Sequence, residues 1–195
     1  MRIIAGISKG RKLVSPKDSS IRPTGDRVKE ALFSMIDAHL PGSRVLDLFA
    51  GTGSLGLEAL SRGAEFATFV ENSRKSLEVL NKNIGLAGFR KNSEVIHQDA
   101  LKAAVAFGKS GRVFDIIFVD PPYMENLYEK VLSSIENYGI IRNGGLVVVE
   151  HPAAMAINEA KVRFIPVRSK RYGNTAINIY TRGDDHENGS ISGKF

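Results

Sequence analysis

From residue 44 onward, apolar strand-like runs alternate with segments of helical periodicity. This alternation predicts a parallel, doubly wound sheet with helices on both faces, which is an α/β fold. In such sheets, ligands bind beyond the carboxyl ends of the strands. The predicted strands cover residues 44–49, 66–71, 93–99, 114–120 and 145–151, and the predicted helices cover residues 54–63, 73–88, 100–107 and 125–138.

The two ends of the chain depart from this pattern. Residues 1–20 predict short strands with turns, and residues 26–40 predict a helix whose expected cap is Thr24 or Asp26. Residues 162–182 predict two strands, and a hairpin there would make the sheet mixed. We therefore expect three parts: a basic N-terminal β extension over residues 1–24, a main α/β domain over residues 25–182 and a flexible polar tail over residues 183–195.

Composition excludes several classes of protein. The chain has 195 residues and no cysteine, which excludes a disulfide framework and a cysteine-based metal site or nucleophile. His97 and His151 lack neighbours at metal-ligand spacing, so we expect no bound metal. No apolar run approaches the roughly 20 residues of a membrane-spanning helix, and the N-terminal apolar stretch is too short for a signal peptide. We therefore expect a cytoplasmic protein with no membrane association.

Positive charge is concentrated near the two ends of the chain. Residues 1–30 contribute +5 of the net charge of +6, and residues 161–182 contain six Lys or Arg and no acid. Because Lys and Arg contacts to phosphates dominate nucleic-acid affinity, this bias favours a polyanionic partner, although a bias for solubility would look the same. Tyr172 is either a turn residue or a ring that stacks on RNA. The candidate RNA contacts are Arg2, Lys9, Arg11, Lys12, Arg27, Lys170, Arg171 and Tyr172.

A glycine-rich loop follows the first predicted strand. Gly51-Thr52-Gly53-Ser54-Leu55-Gly56 matches the G-x-G-x-x-G fingerprint of dinucleotide sites, and Glu71 follows at the end of the next strand. However, Asp47 precedes the loop, where it would repel a pyrophosphate, and the loop has no Lys or Arg to offset it. S-adenosylmethionine carries an ammonium and a sulfonium and has no phosphate, so an acidic residue beside the loop suits it. The pattern therefore favours S-adenosylmethionine over a nicotinamide dinucleotide.

Carboxylates end three successive predicted strands. Glu71 can accept hydrogen bonds from the two ribose hydroxyls of a nucleoside cofactor, and Asp99 can accept one from an adenine amino group. The alternative is that the glycines only form a tight turn between strand and helix. Asp47, Glu71 and Asp99 together disfavour that alternative, and we predict a nucleoside-binding site at this edge of the sheet.

Asp120-Pro121-Pro122-Tyr123 follows a buried strand and has the chemistry needed to hold a planar NH2 group. The Asp120 carboxylate and the Pro121 carbonyl can accept the amine hydrogens, which leaves the nitrogen lone pair aimed at a methyl donor. The prolines stiffen the backbone and remove competing N–H donors, and Tyr123 offers a face on which a flipped base can stack. A strand-terminating turn is the simpler alternative. The sequence leaves open whether Asp120 also takes up the released proton.

Five segments of the chain resemble, in the same order, the bacterial 16S ribosomal RNA guanine-N2 methyltransferases of the RsmD type. The resemblance extends over residues 1–182, and it implies a Rossmann-like class I methyltransferase with a seven-stranded sheet that ends in a hairpin. Gly25 departs from the family pattern, in which a small hydroxyl residue is usual. The segments are residues 2–13, 22–33, 47–64, 120–123 and 172–180.

The resemblance also implies an activity and the residues that serve it. The implied activity is methyl transfer from S-adenosylmethionine to N2 of one guanine in 16S rRNA or the small ribosomal subunit, by a protein that we expect to be a monomer. Arg27 would lie near the site, and the basic N-terminal segment would contact the rRNA. The implied catalytic residues, which would bind the guanine, are Asp120, Pro121, Pro122 and Tyr123. The implied cofactor residues are Asp47, Ala50, Gly51, Gly53, Glu71, Asn72, Asp99 and Ala100, with Arg22 and Thr24 over the cofactor.

Three other functions stay open at this point. A methyltransferase acting on DNA adenine or on another rRNA site would use a similar tetrad, although a DNA enzyme usually carries a target-recognition insertion. An RNA-binding protein with a vestigial cofactor fold would keep the basic ends without the chemistry. A nicotinamide oxidoreductase is disfavoured by Asp47 and by the lack of an evident substrate domain.

Overall fold

The computed structural model describes residues 1–15, 25–122, 127–155, 157 and 163–183. The strands are β1 (Arg44–Asp47), β2 (Phe66–Glu71), β3 (Ser93–His97), β4 (Phe114–Val119), β5 (Ile141–Pro152), β6 (Ile165–Tyr172) and β7 (Thr175–Thr181). The helices are α1 (Asp26–Ile36), α2 (Ser54–Ser61), α3 (Arg74–Ala87), α4 (Ala100–Lys109) and α5 (Leu127–Asn137). None of the helices in the described ranges is both long enough and apolar enough to cross a membrane.

The seven strands form one mixed sheet in the order β3-β2-β1-β4-β5-β7-β6. β1 to β5 run parallel, while β7 runs antiparallel between β5 and β6. Two hydrophobic cores cover the two faces, so that Phe118 of β4 packs in one core with α1, α2 and α3, and the next residue, Val119, packs in the other with α4 and α5. This architecture confirms the predicted α/β class, the doubly wound seven-stranded mixed sheet and the C-terminal antiparallel hairpin.

Several element boundaries differ from the sequence prediction, among them the cap of α1 and the start of β5. α1 begins at Asp26, so Asp26 is a helical residue and not the cap. Gly25 occupies the cap position without a side-chain hydrogen bond, and Thr24 lies outside the described residues. β5 begins at Ile141, earlier than predicted, because Ile141 pairs with Phe114 ahead of an irregularity in the strand register.

The N-terminal segment, residues 1–15, folds along α2 and α3, and the short strands predicted there are reduced to one antiparallel bridge with flanking backbone hydrogen bonds. The rest of that prediction, over residues 16–20, lies outside the described residues. The bridge joins Arg2 and Lys12. The turn between them bonds to the end of α2, since the Ile7 N–H donates to the Ser61 carbonyl at 2.8 Å. Some backbone donors of the segment pair within it, as the Ile3 N–H does with the Arg11 carbonyl at 3.1 Å, and others donate to side chains and carbonyls of α2.

Glu58, fully buried in α2, joins the N-terminal segment to α1 and α2. Its carboxylate accepts hydrogen bonds from the Ile4 and Ala5 backbone N–H groups at 2.8 and 3.0 Å and from Arg62 Nε at 2.9 Å. Lys29 Nζ of α1 lies 3.4 Å from the same carboxylate. Burial lowers the pKa of Lys29, while Glu58 acts to raise it. Because both charges are out of water, removing Glu58 would leave the Lys29 ammonium buried without its counter-charge, whereas removing Lys29 would leave Glu58 paired with Arg62.

Glu58→Gln should destabilise the protein strongly, because it leaves the Lys29 ammonium without its counter-charge. We expect the free energy of unfolding, measured by urea denaturation, to fall by roughly 3–5 kcal/mol. Glu94→Gln is the matched control, since Glu94 pairs with Arg112 at the partly exposed surface at 2.7 Å and its loss should cost less than about 1 kcal/mol. Equal losses for the two variants would contradict the role given to Glu58.

Candidate functional site

A cavity of about 790 Å³ opens at the carboxyl ends of β1, β2 and β4. Its walls include four carboxylates, and no Lys, Arg or His stands among the described residues that line it. The described walls therefore suit a ligand that carries positive charge better than one that carries phosphate. The four carboxylates belong to Asp47, Glu71, Asp99 and Asp120.

The structure brings most of the predicted site residues to this cavity. Three of them, Arg22, Thr24 and Tyr123, lie outside the described residues. Their roles, like those of the residues on the wall, stay predictions. The predicted cofactor residues that line the cavity are Asp47, Ala50, Gly51, Glu71, Asn72, Asp99 and Ala100, and the predicted catalytic residues that line it are Asp120, Pro121 and Pro122.

Gly53, which we predicted to contact a cofactor, is buried and does not line the cavity. Its φ is +85°, and a Cβ at this position would lie 2.5 Å from Leu80 Cδ1 of α3. Gly56 packs on β2, where a Cβ would overlap the Phe69 ring. These two glycines therefore let α2 approach its neighbours closely, which is one of the roles that glycine has in nucleotide-binding loops.

Glu71 holds the glycine loop against the end of β2. Its Oε2 accepts a hydrogen bond from the Gly51 N–H and its Oε1 accepts one from the Ser73 N–H, each at 2.7 Å. Each carboxylate oxygen has a second lone pair, so Glu71 can still accept a hydroxyl of a ligand. The predicted ribose-binding residue is therefore fixed in position by the loop that it faces.

Asp99 lies at the start of a helix, and the prediction that it ends a strand is wrong. β3 ends at His97. Asp99 Oδ1 accepts hydrogen bonds from the Leu101 and Lys102 N–H groups, both at 3.1 Å, so Asp99 caps α4. Capping fixes the carboxylate at the rim of the cavity, where its remaining lone pairs can accept an amino group.

Asp47 is buried at the end of β1, with 2% of its surface exposed. Burial raises the pKa of its carboxyl to about 7. The Gly56 N–H, which donates to Oδ2 at 3.1 Å, opposes this rise in pKa, and Glu71 adds to it. Near neutral pH the carboxyl is therefore divided between its acid and its anion, and a neighbouring cation would favour the anion.

Glu150 is a candidate site residue that the sequence analysis missed. Val119 pairs with Val149, so Asp120 and Glu150 follow side by side at the ends of β4 and β5. Glu150 is buried, at 7% exposure. Burial raises the pKa of Asp120 well above its usual range, and Glu150 and Asp47 raise it further. The signal in the sequence is the one that identified Asp120, an acid directly after a run of apolar residues.

Some of the predicted RNA contacts lie at the same edge of the sheet as the cavity. Lys29 Nζ donates to the Arg2 carbonyl and lies 3.4 Å from Ser54 Oγ at the start of α2, which places Arg2 and the neighbouring Arg27 at that edge. β6 runs parallel to β5, because both are antiparallel to β7, so the carboxyl end of β6 also lies there. That end carries Lys170, Arg171 and Tyr172.

Other predicted RNA contacts lie near the amino ends of the parallel strands, on the side of the sheet away from the cavity. Lys9 is exposed in the turn that bonds to the end of α2. Arg11 Nη1 donates to the Leu86 carbonyl, near the end of α3, at 2.7 Å. Lys12 is exposed between the two edges, opposite Arg2 in the bridge. The basic residues of the N-terminal segment therefore do not form one surface beside the cavity.

Comparison with known proteins identifies the family of this chain. The family model described as "Conserved hypothetical protein 95" matches residues 1–181. The chain belongs to this family. A Bacillus subtilis relative, "Putative rRNA methyltransferase YlbH", is 38% identical over 182 residues, which cover 93% of this chain and 99% of the relative. The Escherichia coli "Ribosomal RNA small subunit methyltransferase D" is 35% identical over 184 residues, which cover 93% of this chain and 90% of that protein.

Solved structures share the fold of this chain. A structure described as "Putative methyltransferase yhhF from Escherichia coli" has a TM-score of 0.83 and 34% identity, and the match covers 94% of this chain and 98% of that one. The resemblance inferred from the sequence is therefore confirmed for family and fold. The family match includes both the N-terminal segment and the β6–β7 hairpin.

Glu150→Gln should lower the pKa of Asp120, because it removes a negative charge beside that carboxyl, and should leave the pKa of Asp47 near about 7. Glu71→Gln should lower the pKa of Asp47 and should not lower that of Asp120. Carbon-13 NMR titration of the aspartate carboxyls, in protein without added ligand, measures both. An unmoved Asp120 in Glu150→Gln would contradict the side-by-side placement of the two carboxyls.

Proposed function

We propose that this member of the Conserved hypothetical protein 95 family transfers a methyl group from S-adenosylmethionine to the exocyclic N2 amino group of a guanine in 16S rRNA. The observation that carries the proposal is the acidic cavity that continues into the turn at Asp120, Pro121 and Pro122. The names of the Escherichia coli and Bacillus subtilis relatives support an rRNA substrate. We take the protein to act as a monomer, on rRNA that is free or within the small subunit.

The residues of the cavity fit S-adenosylmethionine. This cofactor supplies a methyl group on a sulfonium, close to an α-ammonium, and carries no phosphate. Asp47 would face positive charge, Glu71 would accept the ribose hydroxyls, and Asp99 would accept the adenine amino group. A nicotinamide dinucleotide is disfavoured, because the described part of the wall has no Lys, Arg or His to bind its pyrophosphate.

Asp120 and the Pro121 carbonyl would hold the target amine by its two hydrogens and direct the nitrogen lone pair toward the methyl carbon. After transfer the nitrogen carries an extra proton, which the Asp120 carboxylate accepts. The raised pKa of Asp120 suits this task, since a more basic carboxylate takes a proton more readily. Guanine presents N1–H and N2–H to one carboxylate, whereas adenine presents a bare N1 acceptor, so this arrangement favours guanine.

Deletion of the gene should remove one N2-methylguanosine from 16S rRNA, because the enzyme that we propose to methylate that amine is then absent. Mass spectrometry of digested rRNA measures the loss, and purified protein with S-adenosylmethionine should restore the nucleoside on rRNA or subunits from the deletion strain. An unchanged nucleoside profile would overturn the proposed substrate. Calorimetry that detected binding of NADH and none of S-adenosylmethionine would overturn the proposed cofactor.

The same deletion strain tests the role of the tetrad. Asp120→Asn should restore methylation about 10²–10⁴-fold more slowly than wild type, while S-adenosylmethionine binding changes little. Asp115→Asn is the matched control, since Asp115 also belongs to β4 but lies at the opposite edge, where it pairs with Arg142 at 2.7 Å. Methylation by Asp120→Asn at the rate of Asp115→Asn would show that the amine is held elsewhere.

Binding of S-adenosylmethionine should tighten as the pH rises through about 7, because the Asp47 anion attracts a cation and its acid does not. Asp47→Asn should remove this pH dependence. It should also be more stable than wild type at high pH, because the raised folded-state pKa of the wild-type carboxyl makes the fold lose up to roughly 4 kcal/mol of stability as the pH rises from 3.8 to about 7. Calorimetry and urea denaturation at about pH 6 and about pH 8 measure both effects. Wild-type affinity that did not change with pH would contradict the role of Asp47.

A further inference from the structure

β6 is an exposed, basic strand at the outer edge of the sheet. It pairs with β7, and no other strand in the described part of the chain covers its outer side. All of its side chains are exposed except that of Tyr172, which is half-buried against the core. It carries Arg168, Lys170 and Arg171 and no acid. Charge of this kind disfavours pairing with another strand and favours contact with a polyanion.

The register of the sheet places two of these cations on the same face as the proposed amine site. Lys170 lies opposite Ile177, which lies opposite Glu150, the residue beside Asp120. Paired residues point to the same face, so Lys170 and Asp120 stand in one row, three strand spacings or about 14 Å apart. Arg168 lies on the same face, two residues before Lys170.

The cations on this face are free to bind a ligand. Neither Arg168 nor Lys170 forms a side-chain hydrogen bond or ion pair with any residue in the ranges that the structure describes. Arg171 differs from both, because it lies opposite Ala176 on the other face and its Nε donates to the Gly173 carbonyl at 3.0 Å. The sequence suggested that Lys170 and Arg171 both contact RNA. Successive residues of a strand point to opposite faces of the sheet, so the two side chains lie on different faces.

The basic residues near the N-terminus are placed less favourably for a ligand at Asp120. Arg2 Nε pairs with Asp26 at 3.1 Å, and Arg11 is bonded to the Leu86 carbonyl. Lys9 lies at the opposite edge of the sheet. Arg27, in the first turn of α1, is exposed and also lies at the cavity edge. Among the described residues, β6 differs in carrying two unengaged cations on the same face of the sheet as Asp120.

We propose that Arg168 and Lys170 bind the sugar-phosphate backbone of the single-stranded rRNA segment next to the target guanine. This rests on the proposed function, since it takes the guanine to be held at Asp120. The nucleotides beside a base that has left its stack carry backbone phosphates, and a row about 14 Å away is within reach of them. Contacts to phosphates position RNA without reading its sequence, so they set affinity and salt dependence and not the choice of base.

The double variant Arg168→Ala/Lys170→Ala should weaken binding of a 16S rRNA fragment about ten-fold near physiological salt. The slope of log affinity against log salt should become shallower by about 1.4, at roughly 0.7 for each phosphate contact to a single strand. KM for the rRNA should rise by a larger factor than kcat falls. Unchanged S-adenosylmethionine binding by calorimetry shows that the variant is folded, and Arg168→Lys/Lys170→Arg should keep the wild-type slope because it keeps the charge.

Two controls separate this surface from a general effect of charge. Arg171→Ala removes a cation from the other face of the same strand, and Lys91→Ala/Lys109→Ala removes two exposed cations from the opposite edge of the sheet. Both should leave the salt slope of rRNA binding unchanged. The proposal is overturned if either control lowers the slope as much as Arg168→Ala/Lys170→Ala does.

Two further outcomes are distinct from these. If Arg168→Ala/Lys170→Ala binds free rRNA like wild type and loses affinity only for assembled small subunits, β6 contacts a protein of the subunit and the proposal is wrong. If the wild-type protein binds S-adenosylmethionine but neither binds nor methylates rRNA, the proposed function itself fails, whatever the β6 variants do.

Discussion

The parallel direction of β1, β2, β4 and β5 decides where the charged side chains of this fold meet. Each of these strands ends at the same edge of the sheet, so an acid that follows an apolar run is brought to that edge. Asp47, Asp120 and Glu150 arrive there on one face, and burial raises the pKa of Asp47 and of Asp120. Glu71 adds to the rise for Asp47, and Glu150 and Asp47 add to it for Asp120. Ionisation of these buried carboxyls lowers the stability of the fold, and a bound cation would reduce this cost. Such local destabilisation is typical of sites that bind a ligand.

Backbone N–H groups of the glycine loop offset part of this cost. The Gly56 N–H donates to Asp47, and the Gly51 N–H donates to Glu71. Gly51 has a φ of +52°, in the left-handed region that favours glycine. The loop therefore holds the carboxylates of the protein itself in position, in addition to any contact that it makes with a ligand. This explains why a loop with the dinucleotide fingerprint can coexist with an acidic cavity, because its donors are partly used before a phosphate could reach them.

The sequence was sufficient to predict the order of the elements and the positions of Asp47, Glu71 and Asp120. The order of the elements and the positions of these acids depend on the spacing of apolar residues and on strand direction, which are local properties. Asp99 was misplaced, because the last residue of a strand and the cap of the next helix differ only in one set of short hydrogen bonds. Glu150 was missed for a different reason. An acid at the end of a strand looks the same in sequence whether water or another carboxylate lies beside it, and only the pairing of β4 with β5 distinguishes the two cases.

Charge along the sequence could not show which basic stretch faces the site, because that depends on the topology of the C-terminal hairpin. After β5 the chain forms β6 at the outside of the sheet, in the same direction as β5, and then inserts β7 between them in the opposite direction, so the β6–β7 turn lies at the carboxyl end of β5. The Ala153 N–H donates to the Asn174 carbonyl at 2.9 Å and fastens that turn to the end of β5. Because the hairpin makes β6 the outermost strand, Arg168 and Lys170 are exposed and yet share a face of the sheet with Asp120, which the order of basic residues in the sequence does not show.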